Sequence, residues 1–193
     1  MTLELESDNT AVVVVDMQND FADPDGALYA PPSGEAVEPI KNLLETADEE
    51  DVHVVFTQDL HTDEQFENVN YYDEYERWGR HVEEGSWGAE ILDDLNPEEH
   101  ADKVIQKHTY NAFHETELDG WLSAHGIENV VVCGTLANVC VLHTASGAGL
   151  RDYQPIVVED ALGYLDESDQ EYAVEHADWL FGEAVQREEL EFQ

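Results

Sequence analysis

Basic residues are scarce in this chain. Seven Lys and Arg stand against 46 Asp and Glu, giving a formal net charge of −39 over 193 residues. Nucleic acid and anionic membrane surfaces are disfavoured as partners, because their phosphates would be repelled everywhere except at a shielded pocket. Cysteine is scarce as well. Cys133 and Cys140 are the only two, and their spacing offers neither a disulfide framework nor a metal knuckle. No apolar run approaches the roughly 20 residues that span a bilayer, and the acidic first nine residues do not read as a signal peptide. A Gly-x-Gly-x-x-Gly fingerprint and a Walker loop are both missing, which argues against nucleotide binding. There is no internal repeat, low-complexity tract or interdomain linker. These absences imply a soluble, cytoplasmic protein with residues 1–193 forming one domain.

A charge this large usually means disorder when hydrophobicity is low. Here 42% of residues are hydrophobic, and they fall in periodic runs, so a core is expected. The acidic excess then reads as a shell adapted to high salt, where screening removes self-repulsion.

The runs alternate between strand and helix. Residues 10–15 (Thr-Ala-Val-Val-Val-Val) form an almost unbroken β-branched stretch, the pattern of a central parallel strand covered on both faces. Residues 35–50 place Val37, Ile40, Leu43, Leu44 and Ala47 on one helical face. Further strands are expected at 52–56, 104–106, 129–133 and 155–158, with a sixth at 183–186. Helices are expected at 117–125, stopped by Gly126, at 141–150, and from Ser168 or Asp169 to about 181. The acidic tail, 183–193, reads as solvated surface. This order predicts an α/β domain, a six-stranded parallel sheet with helices on both faces in three layers. Residues 60–88 carry no sustained period but hold Tyr71, Tyr72, Tyr75 and Trp78. A loop of that length in a compact domain is usually functional.

Chemically capable side chains recur where strands end. Asp16 closes the first strand, Asp59 and His61 follow the second, Lys107 ends the third and Cys140 lies just beyond the fourth. In a doubly wound sheet these ends share one edge, where ligands bind. An ammonium beside a thiol, with a carboxylate to shuttle a proton, makes a nucleophilic set. A helix start at Cys140 would lower the thiol pKa further. Lys107 is one of three lysines, with Lys41 and Lys103. Separately, Asp59, His61 and His81 offer a carboxylate and two imidazoles, a donor set for zinc, iron or manganese. The other histidines show no ligand spacing.

These segments resemble the isochorismatase-like cysteine hydrolases, and within them the nicotinamidases, from about Ala11 to Ala161. Asp16-Met17-Gln18-Asn19-Asp20-Phe21 is similar to the first-strand motif with its catalytic aspartate. Lys107 followed by Tyr110-Asn111-Ala112-Phe113 resembles the catalytic-lysine segment, and Gly134-Thr135-Leu136-Ala137-Asn138-Val139-Cys140 the nucleophile turn. Asp59-Leu60-His61 and Trp78-Gly79-Arg80-His81 resemble the metal segments of nicotinamidases.

The resemblance implies hydrolysis of a small-molecule amide, nicotinamide to nicotinate and ammonia, through a thioester on Cys140, in pyridine-nucleotide (NAD) salvage. It implies a cis peptide between Thr135 and Leu136, an oxyanion hole from the N–H groups of Leu136 and Cys140, and a ring pocket walled by Phe21, Trp78 and Tyr110. It also implies a divalent metal, zinc foremost, on Asp59, His61 and His81, and a homo-oligomer. The sequence departs from the nicotinamidase pattern at Val82, where Cys is usual, and at Leu136-Ala137, where Ala-Thr is common. The close spacing of Lys107 and Tyr110 is shared with other amidases. Another amidase or an isochorismatase therefore stays open as the activity, as does a catalytically silent α/β domain.

Overall fold

The computed structural model describes residues 2–67 and 74–193; Tyr71 and Tyr72 lie outside the described residues. Among the described residues, eight strands form two sheets. The main sheet holds β2 (Thr10–Val15), β3 (His53–Asp59), β4 (Lys103–Lys107), β5 (Asn129–Gly134), β6 (Gln154–Leu162) and β7 (Glu183–Val185). Its order is β4-β3-β2-β5-β6-β7 and every pairing is parallel. The expected six-stranded α/β architecture is what the chain adopts.

All six residues of β2 are buried, because helices cover both faces and parallel strands joined by crossovers have no wet side. Side chains alternate between two cores, as strand geometry requires. Val12 and Val14 join Phe56 and the helix Val37–Glu49, which inserts Ile40, Leu43, Leu44 and Ala47 at zero exposure. Full burial of such a Leu or Ile contributes about 1.5–3 kcal/mol. Ala11, Val13 and Val15 face the other layer. There Leu118 and Leu122 of Leu118–Ala124, Ala145 and Ala148 of Leu142–Gly149, and Ala173 and Ala177 of Glu167–Leu180 close the second core.

The second sheet was not anticipated. β1 (Leu3–Leu5) pairs in parallel with β8 (Leu190–Phe192). The acidic tail is therefore not simply solvated surface. Leu190 and Phe192 turn inward while Glu191 points out, and Leu5 is buried beside them. Two other local expectations shift. The 60–88 stretch contains short helices, Asp63–Glu67 and Glu74–Trp78. The segment before Leu142 is a π-helical turn, Ala137–Val141, so Cys140 lies inside that turn and not at a simple helix start.

The strand order reverses at β2. The chain builds outward through β3 and β4, then crosses to β5 on the opposite side. Ligands of open α/β sheets bind at such a reversal, beyond the carboxyl ends of the strands. Asp16, Asp59, Lys107 and Cys140 all lie there. Among the described residues no helix is long and apolar enough to cross a membrane.

Candidate active site

Asp16 follows β2 directly, with a backbone φ of 49°. A left-handed conformation is uncommon outside Gly, Asn and Asp and must be held by its surroundings. Thr57 of β3 holds it. The Asp16 N–H donates to Thr57 Oγ1 at 3.1 Å, and the Thr57 hydroxyl donates to Asp16 Oδ1 at 2.6 Å. This leaves Oδ2 facing Lys107, whose Nζ sits 2.6 Å away in a fully buried ion pair. Lys107 stands opposite Asp59 in the β3–β4 register, and its Nζ lies 3.7 Å from Asp59 Oδ1. Burial works against the lysine's charge, but the Asp16 and Asp59 carboxylates outweigh it and keep the ammonium protonated.

The nucleophile turn brings the sulfur to the same point. Gly134 ends β5 with φ 112°, and a Cβ there would lie 2.1 Å from the Val15 carbonyl oxygen. Only glycine allows β5 to pass β2 this closely. The peptide between Thr135 and Leu136 is cis, as the resemblance implied. Lys107 Nζ is 3.8 Å from Cys140 Sγ. The Leu136 N–H has no acceptor among the described residues, as an oxyanion donor requires.

One expectation is reversed. Burial first, and then the neighbouring carboxylates of Asp16 and Asp59, push the Cys140 thiol up; Lys107 alone pulls it down. Burial is the largest of these effects, so the fold raises the thiol where a helix start and a lysine were expected to lower it.

The metal-type side chains meet through the backbone. The His61 N–H donates to the Val82 carbonyl at 3.0 Å, and the Glu84 N–H to the His61 carbonyl at 2.9 Å. Asp20 anchors this strap by accepting from the Val82 N–H at 2.6 Å. Asp59, His61 and His81 are all buried. His61 Nε2 lies 3.6 Å from Asp59 Oδ2, and the two imidazoles are 4.8 Å apart between centroids. His81 Nδ1–H donates to the Gly79 carbonyl at 2.9 Å, a bond that fixes the tautomer with its lone pair on Nε2. Burial, then the proximity of His81 and Lys107, lowers the His61 pKa to about 3. His61 is therefore neutral near pH 7, the form that binds metal.

This donor set fits a borderline divalent ion. A second group, His108, His114 and Glu115, lies on the surface.

A cavity of about 710 Å³ opens over these groups. Phe21, Trp78 and Tyr110 line it, together with Asp59, His81, Leu136 and Cys140. Asp16 and Lys107 lie behind the sulfur. No lysine or arginine is among the described residues of the lining.

Sequence reasoning missed several participants. Thr57 was only a strand-end residue, with no signal of its role. Gln18 joins the β2 and β3 ends, accepting from the Asp59 N–H and donating to the Asp59 and Ala89 carbonyls, all at 2.8 Å. His143 also lines the cavity. Its place three residues past Cys140, on the same helical face, was a usable signal.

Comparison with known proteins agrees with this geometry. Residues 10–189 match the model of the isochorismatase domain. The nicotinamidase of Saccharomyces cerevisiae is 27% identical over 189 residues, covering 77% of this chain and 85% of the yeast protein. A ureidoacrylate amidohydrolase of Caulobacter segnis is 32% identical over 171 residues, covering 79% of this chain and 71% of its own. The crystal structure of the pyrazinamidase of Pyrococcus horikoshii in complex with zinc superposes with a TM-score of 0.80 at 29% identity, over 92% of this chain and 99% of that one. The chain belongs to the isochorismatase family of hydrolases.

Proposed function

We propose that this isochorismatase-family amidohydrolase hydrolyses nicotinamide, or a close neutral ring carboxamide, to the acid and ammonia through a thioester on Cys140. The observation that carries this reading is Cys140 at the floor of a cavity whose described lining holds no lysine or arginine, with Lys107 3.8 Å from its sulfur and Asp16 paired to that lysine. The Asp16 carboxylate takes the proton of the Cys140 thiol as sulfur attacks the amide carbon. Lys107 stays an ammonium and stabilises the charge that moves onto sulfur. The N–H groups of Leu136 and Cys140 receive the tetrahedral oxyanion, where losing one such donor typically costs about 10²–10³ in kcat. The C–N bond then breaks, and Asp16 returns its proton to the departing ammonia. Water attacks the thioester, Asp16 accepts its proton, and the C–S bond breaks to release the acid. The proton then restores the thiol.

Asp59, His61 and His81 would hold a divalent ion, with zinc the choice that two imidazoles and one carboxylate favour. Bound there, it would supply Lewis-acid anchoring for a ring nitrogen. Phe21, Trp78 and Tyr110 supply the ring's apolar walls.

Charge selects the substrate class. The described lining holds Asp59 and no lysine or arginine, which disfavours a carboxylate substrate but accepts a neutral amide. The 32% identity to a ureidoacrylate amidohydrolase supports a second reading, an acyclic carboxylate-bearing amide. Ammonia release from nicotinamide, pyrazinamide and ureidoacrylate, with and without chelator in molar salt, separates the two. Turnover of nicotinamide is expected; turnover of ureidoacrylate alone would overturn the first reading.

A further inference from the structure

Residues 108–117 leave β4 at Lys107 and enter the helix Leu118–Ala124. The segment folds back on itself. The Asn111 carbonyl accepts from the His114 N–H at 2.9 Å, and Asn111 Oδ1 from the Phe113 N–H at 2.9 Å. The Thr116 hydroxyl donates to the Ala112 carbonyl. Glu115 is held at φ 55°, a conformation glutamate rarely adopts unless its surroundings impose it. The result sets His108, at one end of the segment, against His114 and Glu115 at the other.

One donor atom from each of these three side chains lies within 4.8 Å of the other two. The His108 and His114 ring centroids are 6.2 Å apart, and His108 Nε2 is 3.8 Å from Glu115 Oε2. That separation is too long for a hydrogen bond. It is close to the spacing of two ligands on one ion: donors about 2.1 Å from a tetrahedral zinc sit about 3.4 Å apart. All three side chains are exposed, so water can complete the coordination shell.

We infer that His108, His114 and Glu115 form a second divalent-cation site, with a preference for zinc over magnesium. Two imidazoles select zinc-like ions, whereas a purely acidic patch would take magnesium equally well. The site is separate from Asp59, His61 and His81, and the proposed amide chemistry makes no use of it. An ion there ties the two ends of the segment that carries Tyr110 into the cavity. It therefore stabilises the native chain by binding only the folded state.

Equilibrium dialysis of chelator-stripped protein against zinc tests this. Molar potassium chloride suppresses diffuse binding to the acidic surface. His114→Ala is expected to bind one equivalent fewer than the wild type, and His61→Ala/His114→Ala one fewer than His61→Ala. Excess magnesium should displace none of the lost equivalent. Zinc should raise the melting temperature of His61→Ala but not that of the double variant. Unchanged stoichiometry in His114→Ala, or displacement by magnesium, would overturn the site. The His61→Ala arm reads the buried site independently, so failure of one assignment is distinguishable from failure of the other.

Discussion

Cys133 and Cys140 are both buried, and burial pushes both thiols up. Cys133 sits within β5 at zero exposure, in the apolar core, with its sulfur 4.0 Å from the Val13 carbonyl. Cys140 lies at the floor of the cavity with Lys107 3.8 Å from its sulfur and Asp16 beside it. Burial therefore does not distinguish the two sulfurs. An adjacent carboxylate, an adjacent ammonium and an opening to the cavity do, and they are why the proposed chemistry falls on Cys140.

The contrast breaks most sharply under direct substitution. Cys140→Ala should lower kcat/KM for amide hydrolysis by at least about 10⁴-fold, as loss of a nucleophile does elsewhere. Cys133→Ala should keep turnover within about twofold and cost about 1 kcal/mol of stability from lost packing. Steady-state assays and denaturant titration of both variants check this. Comparable activity losses in the two would erase the distinction.

Asp16→Asn sharpens it next. Turnover should fall by about 10³-fold, because the proton acceptor is gone. The Cys140 pKa should meanwhile fall, because the asparagine leaves Lys107 as the dominant local charge. Alkylation by iodoacetamide near neutral pH should therefore quicken in Asp16→Asn while Cys133 stays unmodified, as peptide mass mapping would show. An inactive variant with unchanged alkylation would mean that Asp16 does not govern the thiol.

Thr57→Val removes only the hydroxyl that orients Asp16. We expect about a tenfold loss in kcat with KM little changed, since one misplaced catalytic group typically costs that much or more. A KM effect alone would place Thr57 in substrate binding.

The smallest expected effect concerns His61, where burial acts on an imidazole as it acts on the thiols. Its folded pKa of about 3 lies below the ordinary 6.5. The unfolded chain therefore binds the proton first as pH falls. The stability contributed by neutral His61 is complete above pH 6.5 and is lost progressively between 6.5 and 3. In chelator, His61→Gln should lose less stability across that window than the wild type, as thermal melts at fixed salt would report.

Much of this architecture was legible beforehand. The β-branched run at 10–15 announces a strand covered on both faces, and Asp16, Lys107 and Cys140 stand where strands end. What was hidden depended on distant partners. Leu3–Leu5 and Leu190–Phe192 are three-residue strands threaded with glutamates, too short to show a period. Thr57 and Gln18 act through hydrogen bonds across 41 residues of chain, which spacing does not encode. The direction of the Cys140 pKa depends first on burial, and then on carboxylates brought in from two other strands. His108 and Glu115 meet because one residue takes a left-handed turn, a choice invisible in the string.

β4 lies at the margin of the main sheet and is bonded to β3 alone. Its inward residues are Ile105 and Lys107, while Val104 and Gln106 face solvent. A slip of one residue along that border would swing the ammonium outside and turn Gln106 toward Asp16. On the proposed chemistry, such a chain would lack the cation beside its sulfur. The ammonium that the proposed chemistry sets beside the sulfur thus hangs from a strand with a neighbour on one side only, so local fraying there would withdraw it before unfolding anything else.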